Sequence, residues 1–417
     1  MKKIISLLLA GIMCISLYSC KAEDGENKES DIEEVSDVEG GDEGSDSETA
    51  EGEEEYLDGA WLDSESNTYM NYSDNKVAAK QGNTHYYIVN DSSDDPYKSY
   101  IYREDISGEH EREVIECNSS AVYYPIPVGR YVYYFSTSET GSYKHQTRGL
   151  YRYDCLTGET KSYSDSELNS VVNKGHSARN YVYYDGYLYV NAEDIDVIYK
   201  CDLESGSVEE FYNCSTYICS IFTDGKQLLI EMKNSDTDTL CVYSLDFNTK
   251  ETKMLVDLNT TMQNEYWVTI EDGGGVIYYI DKDVSDGSAG TPEAYNIETG
   301  ETTPFFGSKS LEYCGEDIYF MGFSFDKVGN RMYATIRKTD ESLVYGYLDF
   351  DEKGAAYISE PYDLIYDGKD SPRSELFGLT EIDGYMYYES QEDFHYDIFI
   401  MHRITPDGAH ELLEYKG

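Results

Sequence analysis

The chain has 417 residues, with 82 acidic against 32 basic side chains and a formal charge of −50 at pH 7. Such a balance excludes nucleic acid and anionic lipid head groups as binding surfaces, and favours solubility, cations or basic partners. Tyrosine is abundant, 44 residues against two tryptophans, so aromatic packing must fill much of any core.

The first twenty residues read as an export signal. Lys2 and Lys3 form a basic start, and Ile4 to Leu17 is an apolar stretch too short to span a bilayer as a mature helix. Leu17-Tyr18-Ser19-Cys20 resembles the lipobox of bacterial lipoproteins, with Tyr18 departing from the usual small residue. The resemblance implies a diacylglyceryl group on the Cys20 thiol, and a cell-membrane anchor facing outside the cytoplasm. A secretory peptide cleaved nearby, releasing a soluble protein, is the alternative. Lys21 to Asp58 is dominated by Glu, Asp, Gly and Ser, and cannot bury enough apolar surface to fold. It reads as a disordered spacer with a random-coil span of roughly 30–40 Å, extended further by its own charge. A partner-binding acidic tail is the other reading.

About 360 residues follow from residue 59 to 417, ample for a large core. They repeat in units of about 50 residues. One strand of each unit ends apolar-Tyr-x-x-Asp, as in Tyr100-Ile-Tyr-Arg-Glu-Asp105, Leu150-Tyr-Arg-Tyr-Asp154, Ile198-Tyr-Lys-Cys-Asp202 and Val242-Tyr-Ser-Leu-Asp246. Weaker copies are Ala294-Tyr-Asn-Ile-Glu298, Val344-Tyr-Gly-Tyr-Leu-Asp349 and Ile400-Met-His-Arg-Ile404. Turns such as Ser107-Gly108, Thr157-Gly158, Ser205-Gly206 and Thr299-Gly300 follow them. An apolar strand precedes each, from Tyr86-Tyr-Ile-Val89 to Tyr385-Met-Tyr-Tyr388, several after an Asp-Gly turn that marks a further strand upstream. Four strands per unit and seven units predict an all-β, seven-bladed β-propeller, with six or eight blades as variants and a parallel β-helix as rival. The outer strand of the last blade falls at Ala409 to Tyr415, which leaves ring closure open. Tyr56 to Tyr72 is expected to add an edge strand or to pack alongside.

Val77-Ala-Ala-Lys-Gln-Gly82, His85-Tyr-Tyr-Ile-Val89, Ile101-Tyr-Arg103 and Ser107-Gly108 resemble a family of uncharacterised propellers in secreted and lipid-anchored bacterial proteins, related in pattern to YWTD and TolB-like propellers. The resemblance implies the fold and assigns no activity.

Nine cysteines, two of them in the leader, leave an odd seven, which is no disulfide framework. Cys214 and Cys219 are close enough in sequence to pair, but small buried side chains are the expected identity of the set. No C-x-x-C, no H-E-x-x-H and no phosphate loop occurs. Gly175-His-Ser-Ala-Arg179 lacks the last glycine of a nucleophile elbow, and no helical pattern follows it.

Loops between the two inner strands of each blade emerge on one face, and six of the seven carry carboxylates. They hold Asp91, Asp94 and Asp95, then Asp194 and Asp196, then Asp236 and Asp238, then Asp281, Asp283 and Asp286, then Asp340 and Glu341, and finally Glu392 and Asp393. An acidic rim would steer cations or a basic partner, although Asp-rich tips also suit turns and water. Asp236 with Asp238, and Asp281 with Asp283, approach calcium-ligand spacing without completing an EF-type loop, so calcium is a weak candidate and no cofactor is predicted. Tyr97, Tyr143 and Tyr396 are candidate sugar platforms. The expected function is a monomeric, membrane-tethered binding or scaffold module for a protein, peptide or glycan. A glycan-active lyase or hydrolase using channel carboxylates is the alternative.

Overall fold

The computed structural model describes residues 56–415 except 73–76, 92–97, 118–120, 138–147, 165, 173–179, 192–195, 215, 259–266, 271–274, 282–290, 305–311, 314–315, 327–330, 339–342, 351–355, 363–375 and 392–398. Cys20, Asp94, Asp95, Asp194, Asp283, Asp286, Asp340 and Glu341 lie outside the described residues, as do Tyr97, Tyr143 and Tyr396.

The described strands pair, all antiparallel, into seven sheets in chain order. The first holds Ala78–Gln81, Thr84–Asp91, Lys98–Asp105 and Glu113–Ile115. The second holds Ala121–Val128, Tyr131–Thr137, Arg148–Asp154 and Thr160–Ser162. Asn180–Tyr184, Tyr187–Asn191, Val197–Asp202 and Val208–Asn213 make the third. Ile218–Thr223, Leu228–Lys233, Leu240–Leu245 and Thr252–Asp257 make the fourth. The fifth comprises Trp267–Ile270, Val276–Asp281, Thr291–Asn296 and Thr302–Pro304. The sixth comprises Glu312–Tyr313, Glu316–Asp326, Arg331–Lys338, Leu343–Phe350 and Ala356–Tyr362. Leu376–Ile382, Tyr385–Gln391, Phe399–Ile404 and His410–Leu413 form the seventh.

Both faces of the first four sheets are covered. In the first sheet Tyr86 and Ile101 pack with Val122, Val132 and Tyr134 of the second. Tyr87 and Tyr102, one residue away on the same strands, pack instead with Tyr387 and Met401 of the seventh. Similar clusters join the second sheet to the third, the third to the fourth and the fourth to the fifth. Alternate side chains therefore enter different cores, which explains apolar runs that do not alternate with polar residues.

The repeated Asp has a local structural role. The side chains of Asp105, Asp154, Asp202 and Asp246 each accept backbone amides of the turn that follows, as with Glu204 N at 2.9 Å and Ser205 N at 2.8 Å on Asp202. These bonds hold the carboxyls of Asp202 and Asp246 below their ordinary range. In Asp105 and Asp154 burial opposes the shift, and the Ser107 hydroxyl and the Arg130 guanidinium lower the carboxyls together with the turn amides. In the fifth sheet Asn296 does the same work, bonding Glu298 N and Thr299 N, so the repeat position there is Asn296 rather than Glu298. Gly108, Gly158, Gly206, Gly300 and Gly408 follow with positive φ, the conformation that spares a Cβ clash.

One local feature departs from the sequence reading, the helix at Glu167–Val172, and one expectation is met, an edge strand from the segment before the first sheet. Glu167–Val172 is a short helix that inserts Leu168 and Val171 between the second and third sheets. Tyr69–Tyr72 adds a fifth strand to the inner edge of the third sheet, paired with Asn180–Tyr184.

The first and last sheets meet without exchanging a strand, since the seventh is completed by its own His410–Leu413. Polar side chains close this seam. His85, fully buried, bonds the Tyr387 hydroxyl through Nδ1 at 2.8 Å and Asp383 through Nε2 at 3.1 Å. Lys80 pairs with Asp383 at 2.6 Å, and Arg403 with Glu104 at 2.7 Å, while Tyr87 donates to the same Glu104 at 2.8 Å. Burial lowers the His85 pKa from its ordinary 6.5, against the pull of Asp383. Burial resists ionisation of Glu104, but its bonds to Arg403 and Tyr87 hold the carboxyl below its usual range. Asp383 is likewise lowered by His85 and Lys80 in spite of burial. In the same sheet burial lowers His402 to about 4, aided by the charge of His410.

Two outcomes follow. Asp202→Ala costs about 1 kcal/mol in urea unfolding, whereas Asp202→Asn, which keeps the acceptor, is near wild type; equal losses refute the turn-capping role. Because folded His85, His402 and His410 hold protons less tightly than unfolded histidine, stability is full above pH 6.5 and declines as pH falls below it. Glu389, raised by burial to about 7, acts in the opposite sense over the same interval. In a Glu389→Gln background calorimetry therefore shows Tm falling between pH 6.5 and 5, above the range where the lowered carboxylates titrate. A flat profile there contradicts the buried neutral histidines.

Candidate functional site

Strand direction alternates in each sheet, so loops between second and third strands, and links between sheets, emerge on one face. The first-to-second and third-to-fourth turns emerge on the other. Asp91, Asp196, Asp236 and Asp238 all lie at the loop-face ends of their strands or in the loops themselves. Asp281 ends its strand at the same face.

Two of these acids share a cleft. A space of about 740 Å³ opens between the third and fourth sheets, with Asp196 and Asn213 on one side and Asn234 and Asp236 on the other. Tyr212, Met232 and Tyr243 supply its apolar lining. The acidic loop is a tight turn: Asn234 Oδ1 accepts Asp236 N at 3.0 Å, and Asn234 O accepts Asp238 N at 2.9 Å. Asp238 adopts φ 67°, a left-handed conformation that Asp tolerates. Tyr212 reaches the cleft because the pairing slips by one residue between Ile198 and Tyr199, which sends Phe211 into the core behind. Cys214 N bonds Asp196 O at 2.8 Å and fixes the opposite wall.

The electrostatics of the cleft favour a positive guest. Its lining cation, Lys233, is paired with Asp238, which leaves Asp196 and Asp236 exposed at the mouth. Burial raises the phenols of Tyr212 and Tyr243, so both are neutral hydrogen-bond donors at pH 7. Two aromatic side chains and two carboxylates thus line one space, a combination of residue types that suits a guanidinium or ammonium.

Sequence reasoning placed Asp196 and Asp236 on a common rim but missed the tyrosines, reading them as core filling. Tyr243 does occupy the repeated apolar-Tyr-x-x-Asp position; only the gap between adjacent sheets exposes it. Of the calcium candidates, Asp238 is held by Lys233, and the side chains of Asp281 and Asp283 are not described. Among the described residues, the acid–histidine group with ligand atoms within 4.8 Å of one another is Asp105, Glu109 and His110. Both Asp105 oxygens there already accept turn amides, and His110 is stacked on Trp61 at 4.6 Å.

The described cysteines are thiols. Cys117, Cys155, Cys201 and Cys241 are buried, and the Cys214 thiol donates to Thr216 O at 2.8 Å, so it does not bridge to Cys219. Cys314 lies outside the described residues.

No family model matches the sequence, and no curated protein matches it. Several solved structures are similar at low identity. A prolyl endopeptidase is 12% identical with a TM-score of 0.49, over 84% of this chain and 50% of its own. The β-propeller domain of the Trilobed protease from Pyrococcus furiosus, described as an open velcro topology, is 13% identical with a TM-score of 0.48, over 82% of this chain and 97% of its own. An auxiliary nutrient binding protein from Bacteroides thetaiotaomicron is 16% identical with a TM-score of 0.33, over 55% and 54%. The chain spans about half the length of the peptidases it is similar to.

Burial raises the Cys117 and Cys201 thiols to about 12. Neither is expected to react with iodoacetamide in the folded protein at pH 8, and both should react in denaturant. Peptide mapping that finds either alkylated under native conditions contradicts this placement.

Proposed function

We propose that the chain is a lipid-anchored, seven-bladed propeller, held outside the cytoplasm through Cys20, that serves as a monomeric binding module for a protein or peptide bearing a cationic group. Seven successive sheets, the first five joined in series by cores and the first joined to the last, support the propeller. The leader ending in Cys20 supports the anchor. The observation that carries the function is the loop-face cleft, in which Asp196 and Asp236 stand beside Tyr212 and Tyr243 with one lysine already neutralised.

The overall charge of −50 would raise the encounter rate with a basic partner and suppress contact with acidic ones. Specificity would come from the amides of Asn213 and Asn234 and from ring stacking, which are insensitive to salt. A glycan would use the same amides and rings, and its hydroxyls would donate to the carboxylates without a net charge of their own.

A glycan-active lyase or hydrolase is the second reading. Burial raises Glu389 to about 7, so this carboxyl, near the loop-face end of its strand, is about half protonated at pH 7, in the range a general acid uses.

The test uses the mature chain and an array of Lys- and Arg-containing peptides alongside neutral glycans, with and without chelator. Binding of a basic peptide should weaken about tenfold in an Asp196→Asn, Asp236→Asn double variant, about 1.4 kcal/mol, and should fall with salt. Salt-independent binding of a glycan that survives the double substitution overturns the cationic-guest reading. Turnover of a glycan that Glu389→Gln abolishes would replace it with the enzyme.

A further inference from the structure

Residues 56–72 do more than lead into the first sheet. The Leu57 amide bonds Leu156 O, in the third-to-fourth turn of the second sheet, at 2.6 Å. Trp61 then lies between the Arg103 guanidinium, 4.6 Å from its ring centre, and the stacked His110, while its carbonyl accepts Arg103 Nη1 at 3.0 Å. Asp63 accepts the Asn83 amide at 2.8 Å in the first turn of the first sheet. Asn67 donates to Lys80 O at 2.7 Å and Pro127 O at 3.0 Å, tying the first sheet to the second. Thr68 O accepts Asp185 N at 3.0 Å at the third sheet. Asn71 mimics a backbone partner for Thr223 of the fourth, donating to its carbonyl at 2.8 Å and accepting its amide at 2.6 Å.

From Leu57 to Thr68 these anchor points lie at the turn face. The segment then enters beside the inner strands as Tyr69–Tyr72, with Tyr69 opposite Tyr184 at the turn-face end and Tyr72 opposite Tyr181 further in. Gly225 leaves room for it: a Cβ there would come within 2.6 Å of the Tyr69 ring. One segment is thus bonded to four consecutive sheets.

We infer that residues 56–72 are a strap that fixes the exit of the preceding chain on the turn face, so that a membrane-held molecule presents the loop face and its Asp196–Asp236 cleft away from the bilayer. The inference rests on the N-terminal tether proposed above. A tether joined to one face keeps that face nearer the surface on average, because the folded domain cannot enter the bilayer. The partner is then a cationic protein or peptide arriving from outside, rather than a component of the membrane that holds the anchor.

The experiment places the chain from residue 21 to 417, with an N-terminal hexahistidine, on neutral vesicles containing a nickel-chelating lipid, so that its outcome does not depend on acylation of Cys20. An azide-bearing residue replaces Glu204, in an exposed turn of the turn face, or Ser235, in the exposed loop beside the cleft, and carries a donor dye. Energy transfer to a head-group acceptor should be higher from position 204 than from position 235. Equal transfer, or the reverse, overturns the inference. In a Trp61→Ala, Asp63→Ala, Asn67→Ala variant whose Tm shows it folded, the difference between positions should shrink; an unchanged difference refutes the strap as its cause. Neither readout requires a ligand, so failure of the binding reading and failure of the orientation remain separate results.

Discussion

The seam between the first and seventh sheets is the constraint on which the arrangement depends. A row of sheets that bury both faces must cover its two outermost faces, or leave a Tyr-rich surface in water. Here Tyr87 and Tyr102 meet Tyr387 and Met401 across the gap. A shared strand would supply backbone hydrogen bonds at such a closure, and the described sheets share none. Side chains take that role: His85, Lys80 and Glu104 on one side face Tyr387, Asp383 and Arg403 on the other. Buried polar groups of this kind are costly unless each is satisfied, which ties the seam to one register.

The repeated motif divides its work between core and turn. Its Tyr and apolar positions fill the gaps between sheets, while its Asp organises the hairpin that follows. Acidic residues at four of these positions add to the net charge without forming an active site. Their carboxylates are already occupied by turn amides, as the replacement by Asn296 in the fifth sheet illustrates. The acids available for recognition belong to the opposite face, where loops are free to vary without disturbing the hairpins.

The cleft follows from the same geometry. Two adjacent sheets diverge where their loops leave them, and the one-residue slip at Ile198 and Tyr199 turns Tyr212 into the opening. Function would therefore reside between units, in a space neither sheet encloses alone. The strap acts on the other face, bonded to the turns and inner strands of four sheets, and leaves the loop face to the solvent.

Sequence alone determined the local and the periodic. Apolar runs beside Gly turns set the strands, the Tyr-x-x-Asp spacing set the unit, and Asp196 and Asp236 fell on one rim because strand direction must alternate. The short helix at Glu167–Val172 escaped because six residues carry little periodic signal, and its stability comes from burying Leu168 and Val171 in a gap between sheets. Tertiary structure alone decided which tyrosines are core and which line a cleft, because exposure depends on a neighbouring sheet that lies far away in sequence. It also decided the partners of His85 and Asn71, which sit 302 and 152 residues along the chain. Contacts of that range are set by how sheets pack, and no local pattern records them.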